Sequence, residues 1–332
     1  MKAPYFWRGG LDPKSREAAP LTRVLLTPLE ALYVWGFKRR WRHAVQAKAP
    51  VPIICVGNVT VGGVGKTPIV ALIRDRLTRI GLRAATLSRG HGGRIRKATR
   101  IDTETHKAID VGDEPLMLAL AGESWIGRNR ATAALAMAAD GVDVIIMDDG
   151  FQTPSVEKTL SFLVIDGETG FGNGYCLPKG PMREPYNSAN DRANFRIITG
   201  SGNALPEALK QDALKAQLLP TNKIPPGPLI AFAGIGRPQK VFDSLIKAGA
   251  DVRDGVSFAD HYVYKSGDLE FLKKLAADHG ATLVTTEKDY VRLPETWRER
   301  VVTWPVAMDF GDDLETLDAA LKGAIDGFYH GQ

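Results

Sequence analysis

The sequence predicts an α/β protein: a mostly parallel sheet with helices on both faces, a smaller α/β subdomain C-terminal to it and a helix ahead of it. Three observations predict this. From residue 50 onward, apolar strand-like runs alternate with helical patterns at the spacing of strand–helix–strand units. A glycine-rich segment, Thr60-Val61-Gly62-Gly63-Val64-Gly65-Lys66-Thr67, lies directly between a strand and a helix. A second apolar run, Val144-Ile145-Ile146-Met147, ends in the acids Asp148 and Asp149.

Taken in order, Thr27-Pro28-Leu29-Glu30 reads as a capping box, with Thr as N-cap, Pro at the first helical position and Glu at the third. The helix it opens would run Leu29–Phe37 and into the basic cluster Lys38-Arg39-Arg40-Trp41-Arg42. Two readings stay open for it: an interfacial anchor with aromatics at headgroup depth and cations against anionic lipid, or a helix packed on the core with a solvated basic end. Val51–Val56, Leu82–Leu87, Val142–Met147 and Leu160–Ile165 read as strands, and Pro68–Ile80 and Arg128–Ala139 as helices. Asn187–Asn194 and the proline-rich 219–228 carry loop signals. A second block follows: strand Leu229–Ala233, helix Pro238–Ala248, a helix from Ser266 to Asp278, strands Ala281–Thr285 and Val301–Val306, and a helix Leu314–Ile325. This divides the chain into an N-terminal membrane-associating segment 1–48, a core 49–215 and a C-terminal subdomain 216–332.

The chain has 332 residues, 44% of them hydrophobic and 24% charged, a globular composition that excludes disorder of the whole. Its 43 Lys+Arg against 38 Asp+Glu give a net charge of +5, unevenly placed. Residues 1–50 hold ten Lys/Arg and three acids, a net of +7, so the remaining 282 residues carry −2. A basic body that wraps nucleic acid is thereby disfavoured. Two cysteines, Cys55 and Cys176, cannot form a disulfide framework, which points to a reducing compartment. The opening MKAPYFWRGG lacks the apolar run of a secretory signal, and Val24–Phe37 is too short and interrupted to span a bilayer.

The glycine-rich segment makes the core P-loop NTPase-like. A nucleotide triphosphate needs many backbone N–H donors at close range, which glycines and a helix N-terminus provide. Lys66 is placed to reach the β- and γ-phosphates, with the Thr67 hydroxyl on Mg²⁺. Thr60 stands where the general pattern has glycine. The acids at 148 and 149 suit a Mg²⁺-positioning strand end, and because successive side chains alternate they have different tasks. Gly112-Asp113-Glu114-Pro115, Ser88-Arg89-Gly90-His91-Gly92-Gly93 and Asp260-His261 are weaker alone: each offers a carboxylate or cation to a ligand site, but an acidic helix start is often only dipole complement and a lone histidine is more often structural than catalytic. No Cys/His cluster has zinc spacing. The base-reading motif of GTPases is missing, since Thr286-Glu287-Lys288-Asp289 has the wrong spacing. The additional loop lysine of membrane-switch ATPases is missing too.

Together these segments resemble the tetraacyldisaccharide 4′-kinases, the lipid A 4′-kinases of Gram-negative bacteria, over nearly the full chain. The resemblance rests on VGNVTVGGVGKTP (56–68), LSRGHGG (87–93), GDEP (112–115), DDGFQ (148–152), LPKGPMREP (177–185), AFAGIGRPQKVF (231–242), FADHYVY (258–264) and TTEKD (285–289). The family also has Ser or Thr at the loop's first position. Departures are Thr153 for the usual His, Asn194 for Asp and His91 for Tyr.

The resemblance implies transfer of the γ-phosphate of ATP, with Mg²⁺, to the 4′-hydroxyl of an acylated disaccharide 1-phosphate glycolipid. The implied place is the cytoplasmic face of the bacterial inner membrane, held peripherally or monotopically through the N-terminal helix, with no nucleic acid involved. It implies Thr60, Gly62, Gly63, Val64, Gly65, Lys66 and Thr67 as the nucleotide-binding loop, Thr67, Asp148 and Asp149 around Mg²⁺, Asp113 as catalytic aspartate with His261 as its partner, Asp149 as a second catalytic carboxylate and Arg183 on phosphate. Alternatives are a P-loop kinase for a soluble sugar and a nucleotide-dependent membrane switch that phosphorylates no substrate.

Overall fold

A computed structural model describes residues 3–331; Met1, Lys2 (one of the N-terminal cations) and Gln332 lie outside it. The strands are β1 Ile53–Gly57, β2 Ala84–Ser88, β3 Thr99–Arg100, β4 Ser124–Ile126, β5 Val144–Asp148, β6 Leu160–Asp166, β7 Phe195–Thr199, β8 Ala213–Pro220, β9 Pro228–Ala233, β10 Asp251–Ser257, β11 Thr282–Thr285, β12 Val301–Thr303 and β13 Val306–Asp309. The longer helices are α1 Pro20–Arg42, α2 Lys66–Arg79, α3 Asp113–Leu120, α4 Arg130–Ala139, α5 Pro238–Lys247, α6 Ser266–His279 and α7 Leu314–His330.

Nine strands form one sheet in the order β13-β8-β7-β6-β1-β5-β2-β4-β3, parallel except where β3 meets β4 and β13 meets β8 at the two edges. Its central strands are buried on both faces, so they read as continuous apolar runs rather than alternating ones. Along β1, Ile54 and Val56 join Ile69, Val70 and Ile73 of α2 and Leu317, Leu321 and Ile325 of α7 in one core. Ile53 turns the other way, onto Ala133, Ala134 and Met137 of α4. The smaller sheet, β10-β9-β11-β12, is wholly parallel. It carries its own core of Phe232, Leu269, Leu272 and Leu283 against α6.

Two expectations are corrected here. The strand expected over Val301–Val306 is two strands on two sheets. Trp304 donates its N–H to Thr285 O at 2.8 Å, ending the small-sheet pairing. Pro305 has no N–H to extend a ladder, and Val306 pairs instead with Pro220 on the large sheet. The second correction follows from the first: the single break at 215/216 does not describe the sheets, because β13 and α7, and β8 with them, belong to the large sheet and its core. The smaller sheet spans 228–303 and is inserted between them. β7 and β8 also carry no strand assignment in the sequence reading.

The N-terminal helix is longer than expected. It starts at Pro20, a proline at the first helical position, and Thr27 is no N-cap: its hydroxyl donates to Arg23 O at 3.0 Å inside the helix. Pro28 lies inside this helix on its exposed face, where it removes the hydrogen bond to Val24 O and leaves that carbonyl open to water. Arg23, Leu26, Glu30, Tyr33, Val34, Phe37 and Trp41 face the protein at helical spacing. Leu21, Val24, Leu25, Leu29, Leu32 and Trp35 are exposed, so the helix carries apolar side chains toward solvent as well as toward the protein.

Candidate active site

In open α/β sheets ligands gather at the carboxyl ends of the strands, and the motif residues do so here. β1 and β5 are parallel neighbours with Val56 beside Asp148, so the glycine-rich loop leaving β1 and the two acids closing β5 share one edge. Gly65, with φ +85°, turns the loop into α2, so Lys66 and Thr67 open that helix. Lys66 Nζ donates to Asn58 Oδ1 at 3.0 Å and stands 3.5 Å from Asp149 Oδ1. Arg183 donates to both oxygens of Asp149 at 2.9 and 2.8 Å. Burial opposes ionisation of Asp149, but Lys66 and Arg183 outweigh it and hold its carboxyl down at about 2. Asp149 also has φ +53°, a left-handed conformation that a non-glycine residue adopts only where its surroundings impose it.

Asp148 differs from its neighbour, as alternation requires. It is buried, its Oδ1 has no hydrogen-bond partner, and burial together with the charge of Glu114 pushes its carboxyl up to about 7. An orphaned buried carboxylate oxygen is costly and fits a hard cation. Among the described residues no group of three His, Cys, Asp or Glu could hold a metal alone. Mg²⁺, which is bound through one or two carboxylates plus phosphate oxygens, does not need one. The residues present therefore fit Mg²⁺.

Arg183 is brought to this edge by the segment 176–183, which lies against the glycine-rich loop. Val61 N–H donates to Pro181 O at 2.9 Å and Arg183 N–H to Val59 O. Behind it, Gln152 donates to Asn58 O and Glu184 Oε1, both at 2.8 Å, and the fully buried Glu184 also accepts from Arg192 at 2.6 Å. The same segment carries α1 on its other side. Tyr33 OH donates to Arg183 O at 2.8 Å, and Glu30 Oε1 accepts from Cys176 N–H at 2.8 Å. Asn58, Gln152 and Glu184 sit inside the quoted motifs, yet nothing in their spacing marks them as supports.

Asp113 opens α3 beyond the glycines of 90–93. Gly112 has φ +92°, and a Cβ there would come within 2.5 Å of His91 O, so only glycine lets these two loops lie backbone to backbone. Asp113 and His261 are far apart in sequence, but His261 Nδ1 is 2.9 Å from Asp113 Oδ2. His261 comes from the small-sheet loop after β10 and also has positive φ, +58°. His91, at the family's usual tyrosine position, sets its ring edge-on to His261 at 6.2 Å. Burial would raise the Asp113 carboxyl, but the hydrogen bond from His261 and the charges of Lys288 and Arg292 hold it well below the carboxylate range. Arg292 Nε donates to Asp113 Oδ2 at 2.8 Å and Lys288 Nζ to Glu114 Oε1 at 3.0 Å. Arg292 carried no sequence signal, and Lys288 entered only as part of a motif. Thr153 and Asn194 hold loops: Thr153 O accepts from Lys158, and Asn194 Oδ1 accepts from Ser161 N–H.

The model of one family, tetraacyldisaccharide-1-P 4′-kinase, matches residues 22–326. The chain belongs to this family. A tetraacyldisaccharide 4′-kinase of Hyphomonas neptunium is 54% identical over 323 residues, 97% of each chain. One of Maricaulis maris is 44% identical, covering 98% of this chain and 97% of that one. A crystal structure of the family protein from Aquifex aeolicus, described as an apo form in complex with ATP, superposes with a TM-score of 0.74 at 23% identity, over 92% of this chain and 99% of that one. It shows the shared fold.

Proposed function

We propose that this chain is an ATP-dependent kinase for the 4′-hydroxyl of a tetraacylated disaccharide 1-phosphate, the step that gives lipid IVA in lipid A biosynthesis. The observation that carries this reading is the Asp113–His261 pair: two distant family motifs meet at 2.9 Å, and Glu114 next to Asp113 is near enough to Asp148 to raise its carboxyl. The family name and relatives of up to 54% identity support the substrate class.

The backbone of residues 60–65 and the N-terminus of α2 hold the triphosphate, and Lys66 meets its β- and γ-oxygens. Thr67 and Asp148 would hold Mg²⁺, with Asp149 beside them, and the ion would supply neutralisation of the negative charge on the nucleotide's phosphates. The 4′-hydroxyl oxygen attacks the γ-phosphorus, the bond to the β-phosphate oxygen breaks, and the hydroxyl proton passes to Asp113. Such transition states are loose, so the proton leaves late, when the oxygen is already acidic, and a carboxylate kept ionised suffices as acceptor. His261 orients that carboxylate. Arg183 exchanges Asp149 for phosphate and stabilises its developing charge.

The glycolipid reaches this edge from a membrane. On this reading α1 lies on the membrane surface, with its exposed leucines in the lipid and Lys38, Arg39 and Arg42 against anionic headgroups; no helix among the described residues is long and apolar enough to cross a membrane. A groove of about 530 Å³ lies between α1, at Leu32, Tyr33, Phe37 and Arg40, and Pro178 of the segment that carries Arg183. The surface meant is the cytoplasmic face of the inner membrane, where ATP is available. Incubation with ATP, Mg²⁺ and the disaccharide 1-phosphate in vesicles tests the reading: mass spectrometry shows the glycolipid gaining one phosphoryl group. Phosphorylation of water-soluble sugars alone would overturn it in favour of a soluble-sugar kinase.

A further inference from the structure

Three donors converge on one oxygen of Asp113. His261 Nδ1 and Arg292 Nε lie 2.9 and 2.8 Å from Oδ2, and Arg292 Nη2 joins them. Among the described residues Oδ1 accepts only the N–H of Glu114, at 3.0 Å. A carboxylate offers about two lone-pair sites per oxygen, so Oδ2 is saturated and Oδ1 retains a site. Arg292 is itself fixed. Its side chain is 6% exposed, and Nη1 donates to Gly234 O at 2.7 Å and to Asp289 Oδ1 at 3.0 Å. Asp289 is fully buried and accepts from Gly234 N–H and Tyr264 OH, tying the arginine into the small sheet's core.

We propose that Arg292 is a positioning residue for phosphoryl transfer: with His261 it occupies Oδ2 of Asp113, leaving Oδ1 as the oxygen that takes the substrate's proton, and it makes that acceptor depend on docking of the small sheet against the large one. This rests on the kinase reading above. Arginine suits the task because its planar fork reaches Asp113 on one edge and Asp289 and Gly234 on another, which a lysine ammonium cannot do at once. The other groups around Asp113 are Glu114 on its own helix, Lys288 and Asp260 facing His261 on the small-sheet side, and His91 across from His261. Among the described residues only Arg292 and His261 reach the Asp113 carboxylate with their side chains; the remaining bond is from the backbone N–H of Glu114.

Arg292→Ala and Arg292→Lys test this with the full chain, ATP, Mg²⁺ and the glycolipid in vesicles. Both lower kcat, Arg292→Ala about 100-fold as expected for a misplaced reacting group, with KM for ATP within about 3-fold of the parent. In Arg292→Ala, which removes the charge, the acid limb of kcat/KM moves to higher pH by about one to three units, the range by which a neighbouring arginine depresses an aspartate. Should Arg292→Ala fail to fold by circular dichroism, Arg292→Lys is read alone. A kcat within 2-fold of the parent in Arg292→Lys overturns the inference, and so does a loss of activity matched by an equal loss of ATP affinity. Thermal unfolding between pH 6 and pH 3 reads the same pair without substrate: the gap between parent and Arg292→Lys shrinks below about pH 4, where Asp113 of the unfolded chain takes up a proton that the folded parent does not. A gap independent of pH overturns the inference and leaves the kinase reading standing. A parent protein that forms no phosphorylated glycolipid overturns the kinase reading instead.

Discussion

Replacing Asp113 with Asn separates chemistry from binding, because the amide keeps the carboxylate's shape and loses only its charge and basicity. General-base contributions run to about 10²–10⁴-fold, or about 3–5 kcal/mol of barrier, and kcat falls by that amount. The nucleotide is held by other groups: Lys66 contacts Asn58 and Asp149, not Asp113. The ATP dissociation constant, read by isothermal titration, therefore stays within about 3-fold. Stability also falls. Arg292 and Asp113 are 6% and 9% exposed, and removing one member of a buried pair costs about 3–5 kcal/mol. Because Asp289 and Gly234 still accept from Arg292, the lower end applies, and Tm drops by about 4 °C for a chain of this length. An Asp113→Asn protein with kcat within 10-fold of the parent, or one that no longer binds ATP, would refute the assignment.

Lys66→Ala removes the ammonium that meets phosphate and one of the two cations beside Asp149; charge-assisted bonds worth about 1.5–3 kcal/mol each make ATP binding at least 10-fold weaker by titration. In the parent protein, the depressed Asp113 carboxyl contributes stability that is present above the unfolded value of about 4 and lost as pH falls through the lower folded value. Tm of the parent thus declines more steeply than that of Asp113→Asn between pH 5 and pH 3 in differential scanning fluorimetry. Leu21, Leu25 and Leu32 are 80%, 75% and 61% exposed, so changing all three to Ser leaves Tm within about 2 °C while weakening sedimentation with anionic vesicles by at least 100-fold, each buried leucine being worth about 1.5–3 kcal/mol.

The parts of the fold and site legible in the sequence are those whose chemistry is local. A loop that must surround a triphosphate needs its glycines, lysine and threonine side by side, and a strand buried on both faces must be continuously apolar, so the loop 60–67 and the run 144–149 declare themselves. The return of the chain to the large sheet at Val306 is not local. It depends on Trp304 and Pro305 ending one ladder while β8, an unmarked strand 213–220, waits on the other sheet. The length of α1 was hidden because Pro28 with Thr27 imitates a helix start, when Pro20 is the first-turn proline. Arg292 gave no signal at all, since a single arginine three residues after a motif acquires meaning only when Asp113, 179 positions upstream, is brought against it. His261 was legible only through its family motif; as a lone histidine it would have been passed over.

The most direct measurement follows the γ-phosphate itself. With γ-labelled ATP, Mg²⁺ and the disaccharide 1-phosphate in vesicles, the label should appear on the 4′-oxygen of the glycolipid, and Asp113→Asn should cut that transfer at least 100-fold. Label released only as inorganic phosphate, with no labelled glycolipid, would contradict the kinase reading and favour a nucleotide-driven switch.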